Sequence, residues 1–230
     1  MSSSYNPQVT DGERRTKLNV RQLSIFLIIA GVSQLLWLTP ALYPLKIFVV
    51  FIHETFHALV TVLTGGRVVS MVVTPWQSGY VHYIGGSSLL IAAAGYIGSA
   101  LFGGILLILS VRDKWAPSAF GGLALLFGVV TLWFVRNLFG IIFGLSAAGA
   151  FAFLYLKPLP GAPYLIDILA VMSSLYALYD LTDFLVSGAR TDAVILAEMT
   201  HVPAFIWALL WSAVSLIIVY VAGKRAITLH

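Results

Sequence analysis

The chain has 230 residues, of which 60% are hydrophobic and only 10% charged, with a mean hydropathy of +0.95. A soluble domain carries about 25% charged residues, so a soluble enzyme is excluded and an all-α polytopic membrane protein is the class that fits. The net charge of +4 is scattered over the ends of apolar segments and implies no nucleic-acid partner, while the absence of cysteine rules out disulfides.

Residues 1–22 are polar and rich in Ser and Arg, which predicts a disordered, cytosolic-type tail. Within it Arg14, Arg15, Lys17 and Arg21 read as a juxtamembrane anchor. After Leu38 come Thr39-Pro40 and Tyr43-Pro44 rather than a small-residue cleavage site, so the first apolar run reads as an uncleaved span. A window of about 20 apolar residues gives seven predicted spans: 23–40, 45–64, 88–110, 118–135, 138–156, 164–186 and 203–222. Six is the alternative, because only Val135-Arg136-Asn137 divides the fourth from the fifth. One membrane domain over 23–223 and a short tail over 224–230 complete the predicted organisation. With seven spans, Lys224 and Arg225 fall on the side opposite the N-terminus, and the basic residues divide about evenly between the sides.

Between the second and third spans, residues 65–83 alternate strand formers (Val68, Val69, Val72, Val73, Tyr80, Val81, Tyr83) around Thr74-Pro75 and Ser78-Gly79. They predict a short β-hairpin next to the membrane. The third span sets Gly95, Ser99 and Gly103 on one stripe, a pattern that allows close helix packing and implies no chemistry by itself.

The second span holds the unusual feature. Its sequence "VVFIHETFHALVTVL" carries His53, Glu54 and His57 where lipid-facing or packed apolar groups are expected. On a helix, residues 53 and 57 lie about 40° apart around the axis and about 6 Å apart along it, so both imidazoles reach one metal ion. Glu54 is then near enough to act on a water without being a ligand, which is the H-E-x-x-H arrangement of two zinc ligands and a general base. Polar groups hydrogen-bonded inside a bundle explain one buried histidine well and three residues at this spacing poorly. Each central ionisable group costs about 2.5–3.5 kcal/mol on insertion scales, and such groups are usually functional.

With this motif in place, the sequence resembles the site-2 protease family of intramembrane zinc metalloproteases, in its compact B-type branch. "FIHETFHALV" is similar to the family's zinc helix, "LTGGRVVSMVVTP" to its following glycine and strand segment, and "AAAGYIGSALFGG" to its small-residue third helix. "YALYDLTDF" and "RTDAVILAEMTHVP" also resemble that branch. The resemblance covers about residues 45–203 and implies hydrolysis of a peptide bond within or beside a membrane, with one zinc ion and a membrane protein as substrate.

A catalytic zinc takes three protein ligands and a water. The third is sought among Asp167, Asp180, Asp183, Asp192, Glu198, His82 and His201. Asp167 suits a helix N-terminus, His82 and His201 read as surface or interface residues, and Thr191-Asp192 reads as a helix cap. Asp180 and Asp183 remain, one turn apart. If three spans separate the second from the sixth, Asp180 shares the level of His57, so Asp180 is the expected ligand, with Asp183 the alternative. The pattern departs from the many members that place this aspartate before glycine and after Asn-Pro: here Asp180 precedes Leu181, Asp183 precedes Phe184, and Asn137 precedes Leu138. Arg136 and Asn137 are weaker candidates for binding substrate backbone, against the alternative of a polar turn between spans. Two other classes stand beside the protease: an inactive membrane scaffold or chaperone of the same fold, and a metal-ion or proton transporter.

Overall fold

A computed structural model describes residues 20–110, 115–179, 181 and 191–228. Its elements in chain order are α1 (Val20–Leu36), a 3-10 turn (Pro40–Leu42), α2 (Tyr43–Leu63), β1 (Arg67–Val73), β2 (Gly79–Ile84) and α3 (Ser88–Ser110). Then follow α4 (Ala116–Phe134), α5 (Leu138–Leu156), α6 (Ala162–Ser174), α7 (Asp192–Thr200) and α8 (Ala204–Thr228). Pro44, Pro117 and Pro163 sit in the first turns of α2, α4 and α6, where a missing N–H breaks no helical bond. Left-handed residues flank two helices: Gly161 (φ 83°) precedes α6, and His201 (φ 61°) closes α7.

Each predicted span overlaps a helix, the sixth only in part, and among the described residues not each helix is long enough to cross. Five are long and apolar enough to do so: Pro40–Leu63, Ser88–Ser110, Ala116–Phe134, Leu138–Leu156 and Ala204–Ala226. The other two are shorter, at 17 residues for α1 and 13 for α6. At 1.5 Å per residue, α6 extends about 20 Å against a hydrocarbon core of about 30 Å. It stops at Leu175, and helical backbone resumes over 176–179. The predicted tail after residue 223 is helical up to Thr228.

Helix directions follow from which residues meet. α2 and α3 are antiparallel, because Gly95 lies against His53 and His57 while Phe48 meets Phe102. α3 and α6 are antiparallel too, since Gly103 lies against Ala170 and Ser174 and Tyr96 faces Tyr176. α1 then runs parallel to α6: Arg21 bonds Tyr164, Gln22 bonds Asp167, and Ser33 bonds Tyr179. Consequently α1 and α2 point the same way, and the chain folds back through residues 37–42 between them. This corrects the expected placement of Lys224 and Arg225. Lys224 and Gly223 share one cavity wall with Leu23 and Leu27 of α1, so both ends of the described chain lie at the same end of the bundle.

The hairpin is present where the alternation predicts it, with β1 and β2 antiparallel and a bulge between Val68 and Ser70. It lies along α2 rather than beyond its end. Tyr43, the first residue of α2, donates its hydroxyl to the Pro75 carbonyl in the turn, and Met71 and Val73 are fully buried. The outer edge of β1 is covered by the α4–α5 turn. Val135 bridges Met71 in parallel, and the Arg136 N–H donates to the Met71 carbonyl at 3.0 Å.

Candidate metal centre

α2 is buried on every face over residues 46–55, so what each side chain meets depends on the element packed against it. His53 and His57 point toward α3, where no side chain stands in their way. A Cβ on Gly95 would lie 2.3–2.5 Å from His53 Cε1, His53 Nε2 and His57 Nε2. Gly95 therefore does more than permit helix packing: its hydrogen is what leaves room for the two rings. Gly98, one turn on, does the same for Phe56.

Among the described residues, one group of His, Asp and Glu can hold a metal ion, formed by His53, His57 and Asp192. His53 Nε2 lies 2.9 Å from Asp192 Oδ2 and 2.9 Å from His57 Nε2, and His57 Nε2 lies 3.1 Å from Asp192 Oδ2. Donors about 2.0–2.1 Å from a tetrahedral ion stand about 3.3 Å apart, so this triangle has the dimensions of three zinc ligands. The ring orientations agree. His57 Nδ1 donates to the Ile91 carbonyl at 2.6 Å, which leaves the Nε2 lone pair aimed into the triangle. His53 is held instead by aromatic rings, edge-on to Tyr96 at 4.7 Å and Tyr176 at 5.0 Å, and its Nδ1 has no hydrogen-bond partner. Two imidazoles and one carboxylate are a donor set that zinc accepts, so the residues present fit the ion.

Asp192 was expected to cap a helix. It is instead the first residue of α7, after Thr191, whose side chain makes no cap bond. Burial alone would raise the Asp192 carboxyl, but the neighbouring His57 and His53 hold it well below the usual carboxylate range. Asp180 and Asp183, the ligand and the alternative expected from the depth argument, lie outside the described residues. Among the described residues, the carboxylate that stands beside the two imidazoles comes from α7, a separate short helix whose only sequence signal is an aspartate opening an apolar stretch.

Glu54 is also buried, and its Oε2 has no hydrogen-bond partner. Its carboxylate rests on the hairpin. A Cβ on Gly79 would lie 2.6–2.9 Å from Glu54 Cγ, Oε1 and Cδ. Above these groups a cavity of about 350 Å³ is lined by Glu54, His57 and Asp192, with Gly79, Tyr80 and Val81 of β2 on one side and Ile91, Ala92 and Ile195 on the other. A somewhat larger cavity, about 420 Å³, lies between α1, α3, α6 and α8, but apart from Lys224 the residues lining it are apolar or aromatic.

Arg136 and Asn137 do not reach this cavity's lining. The Arg136 guanidinium donates to the Trp133 and Val135 carbonyls at 2.6 and 2.9 Å, closing the C-terminus of α4. The Asn137 side chain is spent on β1: its amide nitrogen donates to the Val73 carbonyl at 2.7 Å, and its oxygen accepts from the Val73 N–H at 3.2 Å.

Compared with known proteins, the chain matches the family model described as Peptidase M50B-like over residues 25–222. No curated protein and no solved structure matches it.

Proposed function

The chain belongs to the Peptidase M50B-like family, and on that premise we propose that it is an intramembrane zinc endopeptidase cutting a membrane protein in or beside a transmembrane segment. The observation that carries the reading is the pairing of a three-donor metal set with a buried carboxylate, one oxygen of which has no hydrogen-bond partner, at one cavity. A scaffold that no longer cleaves has no use for that carboxylate. Burying it with one oxygen unsatisfied costs stability, and the cost makes sense where a proton must be moved.

His53, His57 and Asp192 would hold the ion. When bound, zinc supplies Lewis acidity toward the scissile carbonyl and lowers the pKa of a water toward about 7. Glu54 takes the proton of the attacking water at Oε2 and later delivers it to the leaving amine.

Substrate must be extended here, because a helix hides its carbonyls in its own hydrogen bonds. β2 offers the means. Since Met71 and Val73 turn their main-chain groups toward residues 135–137, their antiparallel partners Val81 and Gly79 turn theirs away from β1, toward the free edge. Gly79, Tyr80, Val81 and Tyr83 of β2 line the cavity, so its wall runs along this strand next to Glu54. An unwound substrate segment adds to the outward main-chain groups of β2 as a further strand, with its backbone beside Glu54.

The test is cleavage of a reporter membrane segment by the purified protein and by Glu54→Gln. The variant should lose about 10²–10⁴-fold in rate while still binding zinc. Cleavage at the wild-type rate would exclude Glu54 as the base.

A further inference from the structure

We propose that Asn137 is a positioning residue for Glu54, acting from behind the hairpin through the Val73–Gly79 pair, whose backbones lie opposite each other with no main-chain hydrogen bond between them. The proposal rests on Glu54 being the base. Asn137 occupies the N-cap position of α5, with extended backbone (φ −119°, ψ 150°), yet its side chain makes no cap bond. It grips both main-chain groups of Val73 instead. Room for this is left by Gly140 in the first turn of α5, where a Cβ would lie 2.7 Å from Asn137 Oδ1.

Val73 is paired across the hairpin with Gly79, and Gly79 is the residue against which the Glu54 carboxylate rests. The four residues Asn137, Val73, Gly79 and Glu54 thus form a row running from the α4–α5 turn to α2. The pair is the last before the hairpin turn, which the Thr74 N–H closes onto the Ser78 carbonyl at 2.8 Å, and the Val73 main-chain groups themselves are held by Asn137. Val73 is fully buried, so no water competes for its main-chain groups. The three metal donors sit on α2 and α7 and touch none of this row's main-chain bonds. Freeing the pair therefore shifts the surface behind Glu54 and leaves the metal set alone.

The experiment compares wild type, Asn137→Ala, Gly79→Ala, the double variant and Tyr43→Phe. The last removes a different hairpin tether, the bond to the Pro75 carbonyl. Asn137→Ala should lower kcat by about 10- to 100-fold, with KM changed less than about threefold and zinc per chain unchanged. Tyr43→Phe should stay within about twofold of wild type. Because Asn137 and Gly79 act on one pair, the double variant should be no slower than about the slower single variant. Asn137→Asp keeps the acceptor for the Val73 N–H and sets a carboxylate against the Val73 carbonyl. It should fall between wild type and Asn137→Ala, and it serves if the alanine variant does not fold.

Multiplicative losses in the double variant, loss of zinc in step with activity, or a Tyr43→Phe defect equal to that of Asn137→Ala would each overturn the proposal. If Glu54→Gln cleaves normally, the base assignment fails on its own. If Glu54→Gln is dead and Asn137→Ala is normal, only the positioning role fails.

Discussion

The two faces of α2 solve opposite problems with residues only a few positions apart. Toward α4 the helix presents Phe48 and Phe51, stacked on Phe127 at 5.3 and 4.2 Å, with Phe151 edge-on to Phe48 at 6.0 Å. Toward α3 it presents His53 and His57, for which the missing side chain of Gly95 leaves room beside Tyr96 and the Ile91 carbonyl. The first face is filled with rings, and its one hydroxyl, on Thr55 a turn after Phe51, is satisfied by the Phe51 carbonyl at 2.7 Å. On the second, a buried Glu54 oxygen and a His53 nitrogen have no hydrogen-bond partner. In lipid, apolar packing gains little from hydrophobic transfer, so the aromatic face works through shape and dispersion. The rigidity it gives α2 lets the other face hold costly groups in register.

This contrast makes the two faces separable by mutation. The largest effect belongs to Gly95→Val, which places a branched side chain on both imidazoles. Zinc affinity should fall at least about 100-fold, read as zinc per purified chain, because the ligands themselves are displaced. Retained zinc would mean that α2 and α3 sit further apart than they do here. Next comes Tyr176→Leu, which removes one of the rings holding His53 and should weaken zinc about 10-fold with little loss of stability. Phe127→Ala should do the reverse. Soluble cores lose about 3–5 kcal/mol for such a change, and the membrane setting reduces this to about 1–3 kcal/mol of unfolding stability, with zinc binding and kcat intact. Smallest is Arg136→Gln, which loosens the end of α4 by about 0.5–1 kcal/mol in thermal unfolding and leaves cleavage unchanged.

Local patterns were readable and long-range pairings were not. The i, i+4 histidines, the adjacent glutamate and the alternating Val-rich hairpin are short-range signals, and each is found where the sequence places it. Three features depend on how distant segments meet. Gly95 reads as a packing residue until the imidazoles are seen against it. Asn137 follows a predicted turn, and nothing local reveals that its amide is paired with Val73. Thr191-Asp192 reads as the cap of a short helix, and nothing local reveals that its carboxylate meets the two imidazoles of α2. The parallel course of α1 and α2 defeats a count of full-length crossings for the chain's ends, whereas α2 and α6 do run parallel as the Asp180 argument requires.

The central claim is that the two imidazoles of α2 and the carboxylate that opens α7 hold one metal ion. Zinc titration against a competing chelator, on wild type and on Asp192→Ala, tests it most directly. One tight equivalent per wild-type chain, weakened at least about 100-fold in the variant, is the predicted result. Equal affinity in the two proteins would contradict it.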